Sequence, residues 1–205
     1  MFCVIRQYTL KSPAVLEELV SKAREEFVPI VSKAPGFASF TIGSTSDGEI
    51  VTTSFFKDRA GADESVKLAR DWVRDNVAQH MTGPPRVTAG EVLFHKRHMS
   101  GDHGFGVIRR IRLKDGAFDE TLRMMQAKLL PVLAEAPGFM SMLAMNPGNG
   151  ELISIGRYRD RASAEEATRR ATAFVAQNAA HLMTGPPEMI DAEIKLRHVN
   201  EANFG

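Results

Sequence analysis

Two arginines on apolar strand faces carry the most chemical content in this chain. In the run from Phe105 to Leu113, strand alternation puts Phe105, Val107, Arg109, Ile111 and Leu113 on one face, with Arg110 and Arg112 on the other. Arg6 repeats the arrangement with Phe2, Val4 and Tyr8. A buried guanidinium without a partner costs roughly 3–5 kcal/mol, the loss seen when a buried ion pair is broken. Each arginine therefore requires an anion. The enolate, phenolate or carboxylate of a bound ligand meets that need. So does an internal salt bridge, with Glu91 and Glu193 as the available carboxylates.

A second set of residues lies at helical spacing. Ala69, Trp72, Val73, Asn76 and His80 share one helical face. Ala171, Phe174, Val175 and Asn178 form a matching stripe, with His181 nearly in line with Phe174. An amide on an apolar stripe needs partners, either a substrate oxygen or the backbone of a neighbouring loop such as Met81–Pro85. Imidazole titrates near neutrality, so His80 and His181 suit a general base or a metal ligand. A histidine near a helix C-terminus is also favoured by the helix dipole alone. His95, His98 and His103 crowd together in print, but positions i and i+3 of a strand face opposite ways, and no metal site is expected.

Tyr8 and Tyr158 are the only phenols, and both fall on predicted strands. Gly156 shares the strand face of Tyr158 and leaves room there for a ligand; alternatively the ring packs at a rim with its hydroxyl in water. Met124, Met125, Met140, Met142, Met145, Met183 and Met189 concentrate in the second half, where they line an adaptable apolar pocket or fill a core. No phosphate-cradling glycine loop, nucleophile elbow or paired-carboxylate motif is present.

Composition excludes several classes. The 205 residues are 43% hydrophobic and 25% charged, the balance of a folded globular protein. Lys plus Arg (26) nearly cancels Asp plus Glu (25), so neither nucleic acid nor an anionic membrane is the expected partner. Cys3 is the single cysteine, which excludes a disulfide framework. The N-terminus meets a charge at Arg6 before any signal-peptide stretch, and no run approaches the ~20 apolar residues of a membrane span. A cytoplasmic location is expected.

The elements that position these residues emerge from an internal repeat. Between residues 29 and 85, a shift of 102 gives 22 identities in 57 ungapped positions, including Ala34-Pro35-Gly36-Phe37 on Ala136-Pro137-Gly138-Phe139 and Met81–Pro85 on Met183–Pro187. Each copy predicts a strand, a helix carrying Pro29 or Pro131 that should bend or end it, and a hairpin at Asp47-Gly48 or Asn149-Gly150 suited to a type I′ turn. A second helix follows from about 62 and 164, with Gly61 at one cap and a Ser163–Glu166 capping box at the other, and then a last strand. The order is βαββαβ, twice. The expected organisation is an α+β fold of two tandem ferredoxin-like units, 1–98 and 105–199, with a linker at 99–104 and a tail at 200–205. One such unit leaves a sheet face uncovered, so the two sheets are expected to pack against each other as an intramolecular dimeric α+β barrel, open to further homo-oligomerisation.

With the Pro-Gly-Phe corners at 35–37 and 137–139 and the corners Phe56-Lys57-Asp58-Arg59-Ala60 and Tyr158-Arg159-Asp160-Arg161-Ala162, the chain resembles antibiotic biosynthesis monooxygenase-like domains of the dimeric α+β barrel superfamily. The resemblance implies a cofactor-independent monooxygenase that deprotonates a small aromatic or quinol-like, polyketide-type molecule and lets its carbanion react with oxygen. In that reading Arg6 or Arg109 stabilises the anion, with Trp72, Phe174 and Tyr158 lining the ligand site. Asn76 or Asn178 orients an oxygen, and His80 or His181 is the base. Two other readings stand beside it. One is a haem-binding or haem-degrading protein with His80 as axial ligand, although Arg6 and Gln7 stand on strand one where haem-degrading relatives carry asparagine. The other is a non-catalytic binding or assembly module.

Overall fold

The computed structural model describes residues 1–99 and 101–203. Ser100 of the expected linker, and Phe204 and Gly205 of the expected tail, lie outside the described residues. The first repeat runs β1 (Phe2–Thr9), α1 (Leu16–Lys22), α2 (Val28–Val31), β2 (Phe37–Ser44), β3 (Glu49–Phe56), α3 (Arg59–Asn76) and β4 (Arg86–Arg97). The second runs β5 (Phe105–Arg112), α4 (Phe118–Met124), α5 (Leu130–Ala134), β6 (Phe139–Gly148), β7 (Glu151–Tyr158), α6 (Arg161–Asn178) and β8 (Glu188–Val199). The fold is α+β, built on tandem βαββαβ units. Within the first unit hydrogen bonding follows the order β4-β1-β3-β2-β8, and within the second β8-β5-β7-β6-β4.

The two compact units are Met1–Glu91 with Ala192–Gly205, and Val92–Asp191. They differ from the sequence repeats in the last strands. β4 is divided after Glu91 and β8 after Asp191, so each 12-residue strand contributes to both units. Within the first unit, β1 lies between β3 and β4, and its alternation sends Val4 and Tyr8 into a core with Phe27, Phe40 and Phe56. Cys3, Ile5, Val51 and Phe55 on the strands' other face are buried as well. The second unit builds its own core from Val107, Ile111, Leu133, Met142 and Tyr158.

Two local expectations are corrected, and a third, that the prolines bend or end their helices, loses one of its alternatives. Pro29 and Pro131 do not end their helices, which continue to Val31 and Ala134. Proline offers no N–H to the carbonyl four residues back, and the turn before each one widens into a π-helix, Ala23–Phe27 and Met125–Leu129. Asn149 and Gly150 both take left-handed φ, 56° and 71°, as a type I′ turn demands, but at Asp47-Gly48 only the glycine does, with φ 81°. That hairpin instead closes a three-residue loop through Thr45 and Glu49. The helix caps are aspartates: Asp58 accepts from the Gly61 N–H and Asp160 from the Ser163 N–H, at 2.9 and 2.8 Å. Both helices therefore begin three residues earlier than Gly61 and Ser163 imply. Glu166 pairs with Arg169 and Arg170 and closes no capping box.

Candidate functional site

Arg6 stands at the centre of the first unit's site. Its side chain leaves β1 toward α3 and is only 2% exposed, although it carries a charge. Antiparallel register sets Thr52 across from Arg6 and Ser54 across from Val4 on the adjoining strand, β3. One guanidinium nitrogen donates to Ser54 Oγ at 3.0 Å, and the other donates to Ser65 Oγ of α3 at 2.8 Å. The Ser65 hydroxyl donates its own hydrogen bond to the Ala62 carbonyl at 2.7 Å, which leaves its lone pairs free for the arginine. No described carboxylate reaches Arg6. The expected internal salt bridge is absent: Glu193 pairs with Lys195, and Glu91 is an exposed strand residue opposite Phe2. Neutral hydroxyls hold a charge that nothing nearby neutralises. Burial pushes the Arg6 pKa down, and it pushes Tyr8 up against the opposing pull of the Arg6 charge, so the phenol stays protonated.

Two spaces meet at these residues. An inner chamber of ≈ 50 Å³ is lined by Leu19, Val20, Ala23, Phe27, Phe40, Ile42, Ile50, Thr52, Trp72 and Val77. The π-helical turn supplies Ala23 and Phe27, and Phe27 packs on Trp72 with ring centroids 5.3 Å apart. An outer vestibule of ≈ 530 Å³ is lined by Val66, Arg70, Arg74, Ala78, Thr82, Gly83, Pro84, Pro85 and Val87. Arg6, Tyr8, Ala69, Val73 and Met81 border both. Around the inner chamber, Arg6 Nε, Thr52 Oγ1 and Trp72 Nε1 are buried with no hydrogen-bond partner. Buried polar atoms are rarely left so.

The second unit repeats the chamber with different chemistry. Arg109, 7% exposed, lines a space of ≈ 50 Å³ with Met124, Met125, Met142, Met183 and Phe174. Ile111 stands where the first unit has Tyr8, and Ser154 where it has Thr52. Arg109 donates to Thr168 Oγ1 at 2.7 Å. Its charge also opposes the rise that burial gives the Tyr158 pKa. Tyr158 is 0% exposed and does not line the Arg109 chamber. The room expected beside Gly156 is taken by the tyrosine itself, since a Cβ there would lie 2.7 Å from its hydroxyl oxygen. A hydroxyl in water at the rim is equally excluded.

The remaining expected site residues fall outside both chambers. Asn76 and Asn178 each donate to the carbonyl four residues back, Trp72 and Phe174, at 2.9 Å, and so are satisfied within the last helical turn. They reach neither a loop nor a ligand. His80 ends a short 3₁₀ turn, Ala78–His80, and His181 sits exposed in Ala180–Leu182. Neither lines a chamber or the vestibule, so neither is placed to take a proton from a ligand there. The same geometry bears on haem, which needs an axial ligand facing a large apolar space. No histidine lines the vestibule, and the inner chamber is too small, so the residues present do not fit that group. Among the described residues, no three His, Cys, Asp or Glu side chains gather as a metal cage. Ser54, Ser65, Thr52 and the π-helical residues escape notice in the sequence. Their one legible signal is that Ser54, Ser65, Phe56 and Val66 become Gly156, Ala167, Tyr158 and Thr168 together between the repeats.

The sequence matches no protein-family model and no curated protein. Its structure superposes on solved proteins over nearly its whole length. A "putative monooxygenase" of Fusobacterium nucleatum subsp. nucleatum matches at TM-score 0.76 and 12% identity, covering 97% of this chain and 94% of that one. An anthrone oxidase-like protein matches at TM-score 0.65 and 18% identity, covering 98% and 94%. The fold is theirs. A ferredoxin-fold protein of Listeria monocytogenes related to antibiotic biosynthesis monooxygenases also matches, at TM-score 0.54 and 13% identity, with 94% of each chain covered. The α+β fold is thus shared, while the Arg6 chamber is described from this chain's own residues. No helix among the described residues is long and apolar enough to cross a membrane.

Proposed function

We propose that the first unit binds a small aromatic or quinol-like molecule as its enolate or phenolate and promotes its oxidation by dioxygen without a cofactor. The observation that carries this reading is Arg6: a guanidinium buried at an apolar chamber, held by two serine hydroxyls and facing no carboxylate. A ligand anion is the missing partner. Binding beside a fixed charge in a low-dielectric site lowers the ligand's own pKa and stabilises the carbanion before reaction. The monooxygenase and anthrone oxidase names of the structural neighbours agree with this chemistry.

In this reading the ionised carbon passes one electron to dioxygen, and the radical pair joins to form the C–O bond of a peroxide. The peroxide takes a proton and then loses water, leaving a ketone. Tyr8 borders the vestibule in its protonated form and donates a hydrogen bond to the oxygen that gains charge. The released substrate proton goes to solvent through the vestibule, since among the described residues the ionisable side chains lining the two spaces are Arg6, Tyr8, Arg70 and Arg74. An oxygen electrode tests the reading with a dihydroxyanthrone. The protein should speed oxygen uptake over buffer, and Arg6→Met should lose about 10²–10³ of that rate, the scale of one lost anion-stabilising donor. No acceleration by the wild-type protein, together with no anaerobic binding of anthrone, naphthol or quinol anions, would sink it.

A further inference from the structure

We infer that the inner chamber of the first unit is a dioxygen compartment, separate from the vestibule that takes the organic substrate; the inference rests on the oxidase reading above. Size separates the two spaces first. The vestibule, at ≈ 530 Å³, accommodates a fused-ring aromatic molecule. The chamber, at ≈ 50 Å³, is about a tenth of that and suits a small guest such as a diatomic gas.

Polarity separates them next. Leu19, Val20, Ala23, Phe27 and Ile50 face the chamber, and the unpartnered Arg6 Nε, Thr52 Oγ1 and Trp72 Nε1 have almost no surface open to it, so they offer a water no partner there. A water needs two to four polar partners to be held in a cavity, and an apolar cavity stays dry and takes up xenon or other apolar guests. Dioxygen is such a guest. The last element is the shared border of Arg6, Tyr8, Ala69, Val73 and Met81. A carbanion held on Arg6 from the vestibule side therefore lies next to the gas, and one charge serves both the substrate anion and the reduced oxygen species.

Xenon tests the chamber without any reference to activity. Crystals pressurised with xenon should show it among Val20, Ala23 and Phe27. Ala23→Leu, at a residue that lines the chamber and not the vestibule, should abolish that peak. The same variant should raise the KM for dioxygen about fivefold or more while leaving anaerobic binding of a dihydroxyanthrone intact. Where Ala23→Leu fails to fold, Val20→Leu removes part of the same volume and should give a smaller shift in the same direction. Ordered water in the chamber, exclusion of xenon, or an unchanged KM for dioxygen in a folded filled variant overturns the inference. If the wild-type protein oxidises the anthrone and xenon stays out, only the compartment is wrong. If xenon enters and no anthrone is oxidised, the functional reading fails, and the assignment of dioxygen falls with it.

Discussion

The Tyr158 hydroxyl occupies the space that a side chain on Gly156 would fill: a Cβ there would lie 2.7 Å from the tyrosine oxygen and 2.9 Å from a ring carbon. In the first unit the equivalent pair is Ser54 and Phe56, and the serine hydroxyl reaches Arg6. The repeats thus hold the same arginine in two ways, with serines from a strand and a helix in one, and with the helical Thr168 in the other.

Gly156→Ala forces the Tyr158 ring aside in a packed core and should cost about 1–3 kcal/mol. The cost should shrink in a Tyr158→Phe background, because the closest contact is the hydroxyl. Urea unfolding of the four proteins gives the coupling, and additive effects would contradict the contact.

Arg6→Met should leave stability unchanged or raise it, by up to about 4 kcal/mol, while removing anion binding. An apolar side chain of similar length avoids the desolvation of a charge that no carboxylate compensates. Comparing urea midpoints with anaerobic anthrone titrations measures both. A large loss of stability with binding retained would mean that the arginine is held for the fold alone.

Arg109→Met should cost far less oxygen uptake than Arg6→Met, since Arg109 already has Thr168 and faces a methionine-lined space with Ile111 in place of tyrosine. Equal losses in the two variants would place the chemistry in both units.

Tyr8→Phe should slow oxygen uptake about 10²-fold, the lower range for a lost proton-transfer group, with anaerobic binding of the anthrone retained. Burial holds the Tyr8 pKa above its ordinary value, so the wild-type rate should show no loss from tyrosine ionisation between pH 7 and 9. Lost binding in Tyr8→Phe would make the tyrosine a wall and not a donor.

The Asp160 cap gives a pH-dependent effect. Hydrogen bonds from Ser163, then from Arg159, lower its pKa from 3.8 to about 2. A depressed carboxylate stabilises the fold above its ordinary pKa and loses that contribution as pH falls through the folded value. Asp160→Asn should therefore lower Tm at pH 6 by more than it does at pH 2. A constant difference across that range would remove the charge from the capping argument.

The sequence by itself determined the duplicated βαββαβ plan, because local patterns suffice for it: alternation in the first strands, Pro-Gly breaks, and a repeat of 22 identities in 57 positions. It also placed Arg6 and Arg109 on apolar faces, since strand periodicity needs no partner to be read. What surrounds each arginine was decided by tertiary structure. Ser54 and Ser65 lie 48 and 59 residues from Arg6 and meet it only through strand register and the docking of α3. Asn76, Asn178, His80 and His181 looked chemical by residue type and helical spacing, yet the ends of their helices turn them away from the chambers. The helical period predicts which residues share a face but not which neighbour that face meets, and that neighbour sets whether a polar group finds a backbone carbonyl, solvent or a ligand.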